Sequence, residues 1–372
     1  MMHELEPTFC EMIRPLFPDS DVHLAVRALL AGNVPGQVYV DDPRHPRAAL
    51  ARIGYRFYLG GSPGEEAFNR EMGRFFAETV YPKGRAAGQE GFVVKCTTAG
   101  WVEQADVLLP GKMPIPEYHH YYAGREVCHN WRAMLPPDVT IRPVDRALLA
   151  ADLEGLDDLR EEMQSERPSV AEFLDKSFGL VPVRENEVIG WCLSEYNCGD
   201  RCEVGIATAE AYRRRGLATL LSTAFIEHAR ARGIDRIGWH CNADNAASNA
   251  TALKVGLRQV AAYPAYLCLF DEVVHLAVHG NRHFEQQEYA EAAVWYDRAL
   301  EHGEAPIWVY LNGACAHAMA GGGERALQRL HEALDRGFVD VEYLRTRRWF
   351  DGLRGTAAWD RLIRRVEERD HE

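Results

Sequence analysis

No stretch of these 372 residues approaches 18 consecutive apolar positions, which excludes a membrane-spanning helix. Residues 1–6 are acidic and lack an apolar core, so no secretory signal is expected. Lysine is scarce, five against 37 arginines, and the arginines are scattered rather than gathered into a tract. With a formal net charge of −13, the chain has no general attraction to phosphate backbones or anionic lipid. Neither a nucleic acid nor a membrane is therefore expected as a partner, and an amine suits the surface better. No CxxC occurs, and the nine cysteines are an odd number. That pattern fits reduced thiols in the cytoplasm, not a disulfide framework or a zinc site, and no metal is expected. His119-His120 and Cys128-His129 have ligand chemistry, but they fall in aromatic, strand-like runs without a third and fourth ligand at the usual spacing. With 47% hydrophobic and 10% aromatic residues, large-scale disorder is excluded and real cores are affordable.

What is present divides the chain into three segments: 1–137, 138–270 and 271–372. The length alone suggests two or three domains. In the first segment, 35–42, 53–59, 91–95, 107–108 and 121–131 read as strands, and 65–81 as a helix with Phe68, Met72, Phe75 and Phe76 on one face. The run Pro136-Pro137 marks a linker. The middle segment alternates: strands over 140–144, 188–194, 202–208, 237–241 and 263–270, and helices over 153–164, 169–178, 217–231 and up to Lys254. Ser169, three residues before Glu172, is a candidate helix N-cap. Both segments are α/β.

The last segment is all-α. Beyond Asp271 proline almost vanishes, and Gly280, Ala292, Tyr296, Ala299, Leu300 and Gly303 recur 34 residues later as Ala314, Ala326, Leu330, Ala333, Leu334 and Gly337. Small residues fall where helices must approach closely, and large apolar ones fill between them. The pattern resembles the tetratricopeptide repeat, with copies over 273–306 and 307–340. Trp349, Phe350, Leu353, Trp359, Leu362 and Ile363 have the spacing of a terminal cap.

The chemistry centres on Arg213-Arg214-Arg215-Gly216-Leu217-Ala218, between a strand and a helix. A glycine turn there exposes backbone N–H groups at a helix N-terminus, an anion cradle suited to a pyrophosphate. Gly216 leaves room for close approach, and the arginines add charge-assisted contacts. A second feature follows the next strand: Asn245 to Asn249, then Lys254-Val255-Gly256-Leu257.

These two features, in this order and spacing, resemble the Gcn5-related N-acetyltransferase (GNAT) family, whose Q/R-x-x-G-x-G/A is matched by Arg213, Gly216 and Ala218 and whose later K-x-G-F is matched at Lys254 to Leu257. The resemblance implies a mixed-sheet acetyltransferase fold over 138–270 and acetyl-CoA as donor. It implies that the strand before the loop splays from its neighbour and that the pantetheine arm pairs with backbone near Ile206 and Thr208. It also places the pyrophosphate on Arg213, Arg214, Arg215, Gly216, Leu217 and Ala218, and Asn245 against the cofactor arm. Direct attack by a neutral amine in a ternary complex needs a base, for which Glu203 comes first and Glu195 second. The family's usual acid, a Tyr in the helix before K-x-G-F, is replaced by Ala252, and Tyr263 or Tyr266 is the substitute candidate.

Residues 1–270 further resemble the subgroup that includes zwittermicin A resistance proteins, through Gly36 to Asp42, Ile189 to Cys192, Val204 to Thr208 and Asn245 to Ser248. That likeness implies an N-terminal lobe that is itself a degenerate GNAT copy, without the pyrophosphate loop, walling one side of the acceptor pocket. It implies a small-molecule amine acceptor such as an antibiotic or other toxic amine. Two alternatives stay open: a protein N-acetyltransferase whose repeats select the substrate, and a non-catalytic acyl-CoA sensor. The repeats themselves serve packing, self-association or a protein partner.

Overall fold

The computed structural model describes residues 1–17, 22–124 and 130–370. Cys128 and His129 lie outside the described residues. The chain divides into two compact units, one formed by residues 1–78 with 93–267 and the other by 79–92 with 268–372.

The first unit is organised on a mixed sheet. Its strands are β1 (His3–Glu4), β2 (Gln37–Val40), β3 (Ala48–Ile53), β4 (Arg56–Gly61), β5 (Gly91–Cys96), β6 (Ile115–Gly124), β7 (Val139–Pro143), β8 (Gly179–Arg184), β9 (Glu187–Val188), β10 (Gly190–Cys198), β11 (Arg201–Thr208), β12 (Arg236–Asn242) and β13 (Arg258–Leu269). They lie side by side in the order β1-β2-β3-β4-β5-β13-β6-β12-β11-β10-β8-β7, with β9 paired to β8. The two halves repeat one plan. β1 to β4 are antiparallel neighbours and β4 is parallel to β5. Likewise β7, β8, β10 and β11 are antiparallel neighbours and β11 is parallel to β12. Each parallel step needs a helical crossover, supplied in the second half by the helix Leu217–Ala231. The final strands are exchanged. β6, from the first half of the chain, pairs with β12, while β13, from the second, lies beside β5, and the two run antiparallel at the sheet's centre. The halves therefore share one sheet, without a break at Pro136-Pro137.

Packing follows strand alternation. Cys202, Val204, Ile237, Trp239 and Cys241 point to one face, where they meet Leu221, Ala224 and Phe225 of the helix Leu217–Ala231. Burying each large side chain contributes about 1.5–3 kcal/mol. Val181, Val183 and Leu193 join Leu159, Met163 and Phe173 of the helices Leu156–Glu166 and Val170–Lys176 in a second cluster. The helix Leu24–Leu30 packs with Tyr58 from one half of the sheet and Tyr196 and Cys198 from the other. Ser169 caps its helix as its spacing suggests, accepting from the Glu172 amide at 3.1 Å.

Four local expectations change. In place of a strand over 121–131 there is a strand over Ile115–Gly124, and Trp131 opens the short helix Trp131–Met134. The strand Gly179–Arg184 is not among those read from the sequence; it contains Pro182, which has no N–H to give the ladder but whose carbonyl accepts from Ile189 at 3.0 Å. Of residues 53–59, Ile53 ends β3, Gly54 at φ +58° and Tyr55 make a hairpin turn, and Arg56 to Leu59 belong to β4. Val107 and Leu108 end a short helix, Ala105–Leu108, in which Leu108 is buried; two apolar residues were too few to set a period.

In the second unit the helix Tyr81–Ala86 joins the C-terminal helices, and Tyr81, Phe92 and Phe270 meet edge-on or tilted. Two helix pairs follow, Glu272–Glu285 with Tyr289–His302 and Ile307–Met319 with Gly323–Asp335. A Cβ on Gly280 would come within 2.9 Å of the Tyr296 ring, the close approach that the small residue permits. Asp297 ties the pairs together, contacting His317 at 3.1 Å and Arg329 at 2.6 Å. Burial pushes its carboxyl up, but His317 and Arg329 outweigh that and hold it down at about 2. A depressed carboxyl stabilises above its unfolded value, near 3.9, and loses that contribution as pH falls through the folded one. Asp297→Asn is therefore expected to lower the melting temperature at pH 6, with a difference from the native chain that shrinks towards pH 2. A constant difference across that range would refute the assignment.

Candidate active site

The parallel pairing of β11 with β12 covers three residue pairs, Arg201 with Arg236, Cys202 with Ile237 and Glu203 with Gly238, and then stops. β11 continues against β10 to Thr208, while β12 continues against β6 to Asn242. The strands diverge after Glu203. Which amides line the gap follows from the period of two: Ala209 donates to Ile189 on the β10 side at 3.1 Å, so the N–H groups of Ile206 and Thr208 face the open edge.

The strand leads into the loop. Arg214 adopts φ +60° and Gly216 φ +80°, two left-handed residues in three. Such turns gather successive N–H groups on one side. Gly216 is the N-cap of Leu217–Ala231, with no side-chain cap, and the first intrahelical bond is Leu220 N–H to the Gly216 carbonyl. The amides of Leu217, Ala218 and Thr219 are thereby left for a ligand or water. Arg213 braces the loop, donating from Nε to the Thr208 carbonyl at 3.0 Å, and Arg215 lies over the Tyr212 ring. Arg213, Arg214, Arg215 and Gly216 are exposed, Ala218 is half-buried and Leu217 is buried.

Glu203 sits at the fork and is only 5% exposed. Its Oε1 lies 3.3 Å from His240 Nε2, too bent for a hydrogen bond, so this buried oxygen lacks a full partner. Native structures seldom leave such an acceptor unmet without a reason. Burial pushes the carboxyl up; the charge and contact of His240, then Lys95 and Arg56, outweigh it and hold the pKa below the ordinary value. Glu195 faces Glu203 across the β10–β11 pair and is half-buried, with its carboxylate folded over Gly205, where a Cβ would come within 2.0 Å of Oε1.

The remaining candidates are placed differently. Tyr266 donates to the Val102 carbonyl at 2.9 Å. Its β6 partner is Pro116, whereas the β6 partner of Gly238 is Ala123; seven positions is roughly 23 Å along an extended strand, so Tyr266 does not join Glu203. Asn245 is exposed, and its Oδ1 caps the helix Ala246–Lys254 by accepting from Ser248 at 3.0 Å. Ala252 is fully buried in the core cluster with Trp239 and Val255, so that position faces packing.

Tyr263, the other tyrosine candidate, and His240, which the sequence reading did not place in the site, do converge. Tyr263 hydroxyl lies 2.8 Å from His240 Nδ1, and the Tyr121 ring stacks on His240 at 4.5 Å. A signal was available: Ile237, Trp239 and Cys241 alternate onto the helix side, which puts His240 on the face of Glu203. His119 and His120 are taken up by Glu117 and Asn249. Among the described residues no group of three or more His, Cys, Asp or Glu side chains gathers to hold a metal ion, and no helix is long and apolar enough to cross a membrane.

A GNAT acetyltransferase family model matches residues 14–266. An uncharacterized N-acetyltransferase of Bacillus subtilis, YdfB, is 24% identical over 269 residues, covering 72% of this chain and 98% of that protein. A solved GCN5-related N-acetyltransferase-like protein from Streptococcus suis matches with a TM-score of 0.53 at 22% identity, over 70% of this chain and 98% of that one, a likeness of fold. With the family match covering both halves of the shared sheet, more than half of its length, the chain belongs to the GNAT acetyltransferase family, enzymes that draw on acetyl-CoA.

Proposed function

We propose that this chain transfers the acetyl group of acetyl-CoA to an amine of a small molecule. The observation that carries the reading is the fork: β11 and β12 part just past a buried carboxylate that lacks a full partner, and the open edge runs into an uncapped helix N-terminus. The first-turn amides and Arg214 suit the diphosphate, and the edge at Ile206 and Thr208 suits the amide-bearing pantetheine arm. Acetyl-CoA supplies an activated thioester. Glu203 takes the proton that the acceptor's ammonium must lose, and the N–H edge near Ile206 stabilises the oxyanion. Glu195 helps hold the cationic acceptor. Asn245, already a helix cap, keeps at most its amide N–H₂ for the cofactor arm.

The repeated strand plan favours the N-terminal half as a degenerate copy without the loop, which makes 1–137, 138–270 and 271–372 two fused GNAT-like lobes and a tetratricopeptide-like array. The array is best suited to packing or self-association. An acceptor of the antibiotic or toxic-amine kind follows from the subgroup likeness. All eight described cysteines are buried thiols, which suits a reducing, cytoplasmic setting. Labelled acetyl-CoA, offered with a panel of small amines and separately with lysate protein, tests the proposal. Label on small amines supports it. Label on protein alone favours the protein N-acetyltransferase, and binding without turnover favours the sensor.

A further inference from the structure

Glu203, His240 and Tyr263 come from three strands, β11, β12 and β13, and meet on one face of the sheet. Their order of contact is fixed: Glu203 Oε1 to His240 Nε2 at 3.3 Å, and His240 Nδ1 to Tyr263 hydroxyl at 2.8 Å. The Tyr263 hydroxyl thus holds the ring at Nδ1 and leaves Nε2 as the nitrogen that faces Glu203. The ring itself is clamped by Tyr121, stacked 4.5 Å away at 30°.

We propose that His240 is the positioning residue of the site, its Nε2 edge setting the Glu203 carboxylate at the fork, and that Tyr263 anchors the ring from its other side. The inference rests on the reading of Glu203 as the proton acceptor. Other groups bear on the same carboxylate. Lys95 of β5 and Arg56 of β4 act with His240 to favour its ionised form. Glu195 of β10 faces it in register, Tyr121 of β6 lies against His240, and His23, ahead of the helix Leu24–Leu30, packs edge-on against Tyr263 at 4.7 Å. Burial first, then the neighbouring His240, Lys95 and His119, holds His23 well below its ordinary value, so His23 adds no charge of its own near neutral pH. Lys95 and Arg56 remain charged when His240 is replaced. The expected change is consequently a shift of the pH profile rather than a loss of activity at every pH.

The test is the pH dependence of kcat/KM in the full chain at saturating acetyl-CoA, for the native enzyme, His240→Leu, His240→Gln, Tyr263→Phe and Glu203→Gln. Removing the imidazole moves the acid limb upwards by about one pH unit in His240→Leu, with activity at pH 9 largely kept. His240→Gln, which retains an N–H donor, returns the limb most of the way, and the near-isosteric Tyr263→Phe gives a smaller shift in the same direction. An unmoved limb in Tyr263→Phe and the His240 variants, with activity lowered equally at all pH values, would overturn the proposal and leave His240 a packing residue. The underlying reading fails separately: in that case Glu203→Gln itself keeps both the activity and the acid limb.

Discussion

Glu203→Gln is expected to lower kcat/KM by about 100- to 1,000-fold while leaving acetyl-CoA affinity within a factor of two or so, the loss typical of removing a positioned base. The substitution keeps the shape of the side chain and replaces one oxygen with an N–H₂. Two properties of the native carboxyl set the size of the effect. Its Oε1 is buried without a full partner, ready to accept a proton where the strands part. The surrounding His240, Lys95 and Arg56 keep it ionised despite burial, so it is in its proton-accepting form at neutral pH. The amide has neither property. Because the first-turn amides of Leu217–Ala231 lie beyond the end of β11, acetyl-CoA binding does not depend on position 203. Equilibrium titration with acetyl-CoA and steady-state rates with a competent amine separate the two quantities. A variant that loses affinity and rate together would place Glu203 in cofactor binding instead.

Gly216→Glu is expected to weaken acetyl-CoA binding by about 100-fold or more. The residue holds φ +80°, where a side chain costs about 1–2 kcal/mol, and a loop relaxed to avoid that cost must be forced back on binding. No atom lies within 4 Å of a Cβ built there, so bulk alone does little in the free protein. The larger part of the effect is charge: a carboxylate at the positive end of a helix occupies the place of the diphosphate and repels it. Gly216→Ala separates the contributions, because it introduces the strain without the charge and costs about tenfold, near 1.4 kcal/mol. Titration calorimetry on both variants checks the order. Equal losses in the two would assign the effect to backbone conformation alone.

The sequence exposed those parts of the site that depend on local order. Gly216 before a 15-residue amphipathic run fixes the helix start, and the structure places it at Leu217–Ala231, the range read from the spacing. Glu203 was read on the strand before the loop, and the structure sets it on the face opposite Cys202 and Val204. What it did not expose is non-local. Nothing in the apolar pattern of 115–124 or 258–269 says which edge each strand will pair with, since alternation fixes the face of a strand and not its neighbour. The exchange of β6 and β13 was therefore hidden, and with it the meeting of Tyr263 and His240. Tyr266, the other candidate on the same strand, is instead committed to the Val102 carbonyl. Gly179–Arg184 was hidden for a local reason, a proline in a six-residue strand whose carbonyl, not its nitrogen, carries the pairing.

The central claim is that the cofactor lies along the open edge of β11 and against the N-terminus of Leu217–Ala231. Amide hydrogen exchange with and without CoA reads that edge directly, without requiring the acceptor amine. Added CoA is expected to slow exchange at Ile206 and Thr208 and at Leu217, Ala218 and Thr219, whose amides face the open edge and the helix N-terminus, with little change along the matching β4–β5 half of the sheet. Unaltered exchange at those five amides in the presence of saturating CoA, or protection confined to the β4–β5 half, would contradict the account.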